Sequence, residues 1–427
     1  MSNQNGGCPF SSRRGLFKGA GGLLAAATIA MAPPARAATT PPPDAEPFWG
    51  DHQAGVLTPA QAHTYFAAFD LSTPKREDVI TLLRRWTDGA GRLTQGQPIE
   101  PVALKPTSYD ASDTPPPAPD AGDAAGLPPA RLTLTFGFGP GLFTKDGQDR
   151  YGLAGLRPAA FADLPKFNGD QLIPAVTGGD LSVQACADDP QVAFHAIRSL
   201  ALMADGIAEI RWAQTGFQSS PPDRGTPRNL LGFKDGTQRP VSVDKAVWVG
   251  AEGPEWMRGG SYLVVRRIRM ALEHWDRTPV SFQEQTIGRH KQSGAPLGLK
   301  DEFAALGLDR NDADGNPIIQ EHAHVRMANA ANIGAADILR RGYSYNNGLS
   351  FTAERWPPWR QGMEFDAGLL FLCYQTDIRA GFIKTFEDMA KFDMLNQFTT
   401  HVGGGSFAIP PGVKQGRYLG QSLFATA

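Results

Sequence analysis

The sequence predicts an α+β protein built from a duplicated unit, with antiparallel sheets and helices on the outside. Three observations point there. Two strand-to-helix units resemble each other: Leu181–Ala187 running into Asp188-Asp189-Pro190, and 369–374 running into Asp377. Each has an apolar strand containing one cysteine, an acidic turn and then an amphipathic helix. The strand candidates are also spaced more widely than βαβ repeats, and long loops separate them. Finally, the composition is that of a globular chain with a sizeable core: 427 residues, 41% hydrophobic and 20% charged, with 48 Gly and 35 Pro. This excludes a disordered chain, a collagen and a small disulfide-stapled scaffold. Lys+Arg of 41 against Asp+Glu of 43 gives a net charge of −2, so no basic excess argues for nucleic acid or an anionic membrane surface.

In chain order, residues 1–37 read as an export signal. Arg13-Arg14 precede Leu16-Phe17-Lys18, residues 19–32 carry no charge, and Ala35-Arg36-Ala37 is a small-x-small cleavage pattern. The uncharged run is too short and too rich in Ala and Gly to span a bilayer well. The paired arginines favour the twin-arginine route, which carries folded proteins and so suits one loaded with a cofactor before export. Residues 38–47 are Pro-rich and expected to be loose.

A strand is expected at 63–70. Thr73-Pro74 then opens a helix with Val79, Leu82, Leu83 and Trp86 on its buried face. Residues 97–129, which include Pro115-Pro116-Pro117, read as a long loop. Leu132, Leu134, Phe136 and Phe138 form a period-two strand. After Pro190 a helix buries Ala193, Ala196, Ile197 and Leu200. Ser261–Met270 reads as a strand, 369–374 as a buried strand, and Ile378, Phe382, Phe386 and Met389 mark the core face of a last long helix.

Several motifs are weak. Gly137-Phe138-Gly139-Pro140-Gly141 places a proline where a phosphate cradle needs N–H groups, and Gly403-Gly404-Gly405 has no lysine after it, so nucleotide binding is not expected. Of three cysteines, Cys8 lies in the signal, while Cys186 and Cys373 sit in apolar stretches and are expected as buried thiols. Neither Cys-x-x-Cys nor Cys-x-x-Cys-His occurs, so neither thiol redox chemistry nor c-type haem attachment is expected. The eight histidines contain no zinc signature, and His322-Ala323-His324 is the one close pair.

Two segments are written unlike solvent loops. Arg228-Asn229-Leu230-Leu231-Gly232-Phe233-Lys234-Asp235-Gly236-Thr237 sets Asp235 beside apolar neighbours, which would disfavour its charged form and suit proton shuttling. Ile338-Leu339-Arg340-Arg341-Gly342 places paired arginines after apolar residues, and an inward-facing one needs an anion.

These segments carry a family resemblance. Gly232-Phe233-Lys234-Asp235-Gly236 matches G-x-x-D-G, His324-Val325-Arg326 matches H-x-R, and Leu339-Arg340-Arg341-Gly342 matches L-R-R-G. Gly368-Leu369-Leu370-Phe371-Leu372-Cys373-Tyr374-Gln375 matches G-L-L-F-x-C-Y-Q. Similar blocks are His52-Gln53-Ala54-Gly55, Trp256-Met257-Arg258-Gly259-Gly260-Ser261-Tyr262 and Ile287-Gly288-Arg289. In order and spacing, over about 46–411, the chain resembles the dye-decolourising peroxidases. More narrowly, it is similar to their exported deferrochelatase/peroxidase branch, which accompanies ferrous-iron uptake systems.

The resemblance implies two ferredoxin-like halves, 48–230 and 231–427, with one non-covalent haem b per chain in the C-terminal half. It implies His324 as the axial iron ligand, with His322 as the alternative, and Asp377 as the expected anionic partner that orients it. Asp235 and Arg340 are expected to serve the peroxide, one moving a proton and the other stabilising developing charge, with Arg341 the weaker choice of arginine. Phe371 is expected to pack over the haem and Arg289 to pair with a propionate.

The implied function is a haem peroxidase that reduces hydrogen peroxide and oxidises bulky organic reductants or dyes, linked to iron release from haem. Dyes too large for a buried pocket would draw on electron transfer through a surface Trp or Tyr. The competing expectation is a deferrochelatase, a porphyrin-handling protein without peroxidase turnover as its main role. A third, from another class, is an exported binding protein with no cofactor. A periplasmic or other extracytoplasmic location, components of a ferrous-iron uptake system as partners, a homodimer and no nucleic acid complete the expectations.

Overall fold

The structure, a computed structural model, describes residues 42–102, 120–219, 221, 225–237, 240, 242–353 and 361–425. The expected export signal, the start of the 38–47 segment and residues 103–119 of the long loop lie outside the described residues. The described part of 38–47 is held rather than loose: Asp44 O accepts from Arg131 N at 2.7 Å, and Arg131 Nε pairs with Glu46 at 3.0 Å.

Nine strands are present among the described residues: β1 (His63–Leu71), β2 (Thr133–Phe138), β3 (Leu181–Ala187), β4 (Ala208–Phe217), β5 (Ser261–Met270), β6 (Leu339–Arg340), β7 (Tyr343–Ala353), β8 (Gln361–Gln375) and β9 (Thr399–Ile409). Every strand pairing is antiparallel. In the N-terminal half the order is β4-β1-β3-β2, and in the C-terminal half β9-β5-β8-β7, with β6 beside β7 on the same edge of β8. With β6 and β7 counted as one edge strand, both halves read fourth-first-third-second, the ferredoxin-like order. The duplication expected from the two strand-to-helix units is therefore present in the sheets. Single pairs, Phe138 with Ala408 and Phe217 with Ser344, join the sheets at both edges and close them into one ring.

Closure explains a burial pattern that simple alternation does not. β2 and β3 are buried on both faces. Leu134, Phe136, Val183 and Ala185 face helices α1 (Arg76–Leu93) and α2 (Pro190–Met203). Ser182, Gln184 and Cys186 turn inside the ring, where Phe66, Trp212, Tyr343, Tyr374 and Phe407 fill a second core. α1 starts at Arg76, two residues after Pro74, and buries Val79, Leu82, Leu83 and Trp86. Trp86 Nε1 donates to Leu200 O at 2.8 Å, tying α1 to α2. Cys186 and Cys373 are free, buried thiols, as their apolar settings predict.

In the second half, α3 (Val280–Ile287) and α4 (Lys384–Phe392) follow β5 and β8. A π-helical turn, Arg379–Ile383, leads into α4. Gly403-Gly404-Gly405 lies within β9. Gly404 has φ +134, and a Cβ there would stand 2.0 Å from Val265 O. The pairing shifts just before the glycines, from Arg267–Gly403 to Ile268–His401, which leaves Val402 as the extra residue. The triple glycine is thus strand backbone in close contact with β5, beside a bulge at Val402, rather than an anion cradle. No helix among the described residues is long and apolar enough to cross a membrane.

Candidate active site

A cavity of about 1650 Å³, counted out to its open mouth, lies in the C-terminal half. Ile268 and Met270 of β5 and Leu369 and Phe371 of β8 line it from the sheet. Phe382, Phe386 and Met389 line it from the helix that the apolar stripe predicts, and Phe371 meets Phe382 at 6.0 Å between ring centres. Five of the six sequence-predicted site residues reach this cavity: Asp235, Arg289, His324, Arg340 and Phe371.

His324 opens a short helical turn, His324–Met327. Its Nδ1 lies 2.7 Å from Asp393 Oδ2, and Asp393 is buried. Asp393 Oδ1 accepts from Leu395 N at 2.8 Å, and Met394 N donates to His322 O at 3.0 Å. These bonds lock the 322–324 segment to the turn after α4. Burial works to lower the pKa of the imidazole, but the charge and hydrogen bond of Asp393 outweigh it and raise it. Nε2 has no hydrogen-bond partner among the described residues, so one ring nitrogen is left for a ligand. His322 is exposed instead, stacked on Phe392 at 5.8 Å.

The partner of His324 is Asp393, which corrects the expected Asp377. Asp377 sits at the other end of the helical segment, where its Oδ1 accepts from Arg379 N at 2.8 Å and its Oδ2 pairs with Arg379 Nη2 at 2.7 Å. A carboxylate before the first helical turn serves the unpaired N–H groups there, so that position uses Asp377 locally.

Asp235 is placed by Asn229, a residue to which sequence reasoning gave no role. Asn229 Oδ1 accepts from Leu231 N at 3.1 Å and Phe233 N at 3.3 Å, which folds the turn. Gly232 supplies the φ of +84 that the turn needs. Leu231 and Phe233 then pack with Trp275, while Trp275 Nε1 donates to Leu231 O at 3.0 Å. The apolar neighbours therefore anchor the loop rather than surround the carboxylate. Asp235 Oδ1 meets Arg340 Nη1 at 3.3 Å, and Oδ2 meets Asn229 Nδ2 at 3.3 Å.

Strand alternation separates the paired arginines. Arg340 lines the cavity, whereas Arg341 is buried on the ring side, donating to Thr58 O and Gln61 Oε1. Arg289 follows Gly288, whose φ of +90 ends α3. Its Nη1 donates to Gly294 O at 2.7 Å and Glu302 O at 3.0 Å. Burial lowers the pKa of Arg289, Glu302 opposes this and Arg340 adds to it, so this end of the cavity favours an added anion.

His324 is the one imidazole that this cavity offers beside a carboxylate partner, and no group of three or more His, Cys, Asp or Glu among the described residues could hold a metal ion. The donor set therefore fits a metal that brings its other ligands with it inside a large flat apolar group, such as the iron of haem. The arginines at the rim fit its carboxylates.

Comparison with known proteins bears on this site. The family described as Dyp-type peroxidase matches twice, its N-terminal part over residues 53–218 and its C-terminal part over 226–414. A deferrochelatase of Shigella sonnei is 36% identical over 96% of each chain, and one of Shigella flexneri is 37% identical over the same share. Among solved structures, a DyP-type peroxidase from Streptomyces coelicolor is similar with TM-score 0.77 and 38% identity, covering 89% of this chain and 97% of that one. The oxyferrous complex of DtpA from Streptomyces lividans gives TM-score 0.77 and 37% identity over the same shares.

Proposed function

The chain belongs to the Dyp-type peroxidase family, and from that premise we propose that it binds haem b in the C-terminal cavity, reduces hydrogen peroxide there and oxidises an organic reductant. The observation that carries this reading is one cavity holding an Asp393-backed imidazole with a free Nε2 together with an aspartate–arginine pair. Bound haem supplies a redox-active iron that takes up two oxidising equivalents from peroxide and returns them to a donor.

The chain's own residues do the rest. His324 Nε2 is the atom that would ligate iron, and the bond from Nδ1 to Asp393 Oδ2 fixes the tautomer and raises the basicity of the ligand. Asp235 takes the proton from one oxygen of hydrogen peroxide and delivers it to the other, so that water can depart. Arg340, already in contact with Asp235, places positive charge where the departing oxygen becomes negative. Arg289 is set to hold a carboxylate at the rim of the cofactor.

The paired arginines Arg13-Arg14 and the uncharged run behind them support export by the twin-arginine route to an extracytoplasmic space. The relatives named deferrochelatase support a second reading, in which the same cavity releases iron from haem within an iron-uptake system. Assembly as a homodimer belongs with this proposal. Two assays on the exported, haem-loaded protein separate the readings: peroxide-dependent oxidation of a bulky dye, and recovery of metal-free porphyrin from added haem. Dye turnover that needs peroxide supports the peroxidase. Metal-free porphyrin without dye turnover replaces it with the haem-handling reading.

A further inference from the structure

At the cavity wall furthest along β9 lies a buried group that the mechanism above does not use. The side chains of Arg266 and Asp170 are both about 2% exposed, and Arg266 Nη2 donates to both carboxylate oxygens of Asp170, at 2.7 and 2.8 Å. The guanidinium also lies over the rings of Phe167 and Phe386, 5.4 and 5.8 Å from their centres. A buried ion pair is a costly way to fill a core, so its geometry is worth reading for what it positions. Arg266 also donates from Nε to His401 Nδ1 at 3.1 Å. Gln171 N, next to Asp170, donates to His401 O at 3.0 Å.

The consequences for His401 are definite. Nδ1 accepts a hydrogen bond, so the ring proton is on Nε2. The cation beside it and its burial both hold the imidazole neutral, well below the usual histidine range. The bulge at Val402, between the paired residues Gly403 and His401, sets His401 at the cavity, where it lies beside Phe386 at 4.4 Å. The Nε2–H has no acceptor among the described residues. A fixed N–H donor in an apolar wall asks the occupant of the cavity for an acceptor. Haem b carries its acceptors at the rim, as two carboxylates.

We infer that His401, positioned by the Arg266–Asp170 pair, donates Nε2–H to a porphyrin carboxylate in this cavity. The inference rests on the haem reading above. It makes His401 a positioning residue for the cofactor, and it places a carboxylate subsite on β9.

The test compares iron protoporphyrin IX with its dimethyl ester, using Soret titration of the full chain and transfer of bound haem to excess apomyoglobin. The proteins are wild type, His401→Phe and His401→Gln. His401→Phe should weaken binding of the free acid about tenfold, leave binding of the diester unchanged, and be rescued in part by His401→Gln, which keeps an N–H donor. Equal losses for both ligands, or no loss for the free acid, overturn the inference and leave the haem reading standing. If wild type takes up neither porphyrin, the haem reading fails and the inference falls with it.

Discussion

Asp235→Asn should lower the second-order rate constant for hydrogen peroxide about 10²–10⁴-fold, the range that a positioned acid–base group contributes, while haem uptake and the KM for a dye stay close to wild type. The argument is geometric. The two carboxylate oxygens of Asp235 meet Arg340 and Asn229, each at 3.3 Å, and the side chain is about 29% exposed within the cavity. Asparagine keeps the size and one acceptor for Arg340, but it cannot take up and return a proton. Its amide would also face the Asn229 amide, donor against donor, unless one of them turned. Loss of the proton shuttle therefore separates from loss of the fold. Stopped-flow mixing with peroxide reads the first and the haem spectrum reads the second. A variant that consumes peroxide at the wild-type rate would make Asp235 a loop-building residue and remove it from the chemistry.

The second large effect is on stability. Arg266→Met should destabilise the protein by about 3–5 kcal/mol, because it strands the Asp170 carboxylate in the core. Asp170 is about 2% exposed, and its remaining donor is Phe167 N at 3.3 Å. The double variant Arg266→Met with Asp170→Leu should recover most of the loss, since removing both charges removes the desolvation cost together with the attraction. Denaturant midpoints of the single and double variants check this. A single variant as stable as wild type would show that the pair contributes nothing to the fold.

How much was legible in the sequence depended on whether the signal was local. β1, β3 and β5 are apolar runs bounded by turn residues, and the expected positions agree with His63–Leu71, Leu181–Ala187 and Ser261–Met270. β4, β6, β7 and β9 were not expected, and β7 and β9 show why. Asn346-Asn347-Gly348 reads as a hairpin turn, yet it lies within β7 at a shift in its pairing with β8. Thr399–Ile409 carries three consecutive glycines, which argue against a strand unless a neighbouring backbone comes within 2.0 Å of where a Cβ would stand, as Val265 O does at Gly404. Both strands are specified by their sheet partners and not by their own propensity.

The same division holds in the site. Asp235, Arg340 and His324 sit in compact motifs, and strand alternation sends Arg340 to the cavity and Arg341 to the interior. Asp393 lies 69 residues from His324 with no spacing to mark it. The choice between Asp377 and Asp393 was a choice between two ends of one helical segment. Only the docking of the 322–324 turn onto the residues after α4 decides it.

The central claim concerns the bond between one imidazole and iron. Resonance Raman spectroscopy of the reduced, haem-loaded protein detects the iron–histidine stretch, and the measurement takes wild type, Asp393→Asn and His324→Gly together. The account expects a clear band in wild type, a shift to lower frequency when Asp393 can no longer accept the Nδ1 proton as an anion, and no band in His324→Gly until imidazole is added. A band that persists unchanged in His324→Gly would place the iron on another side chain and contradict the account.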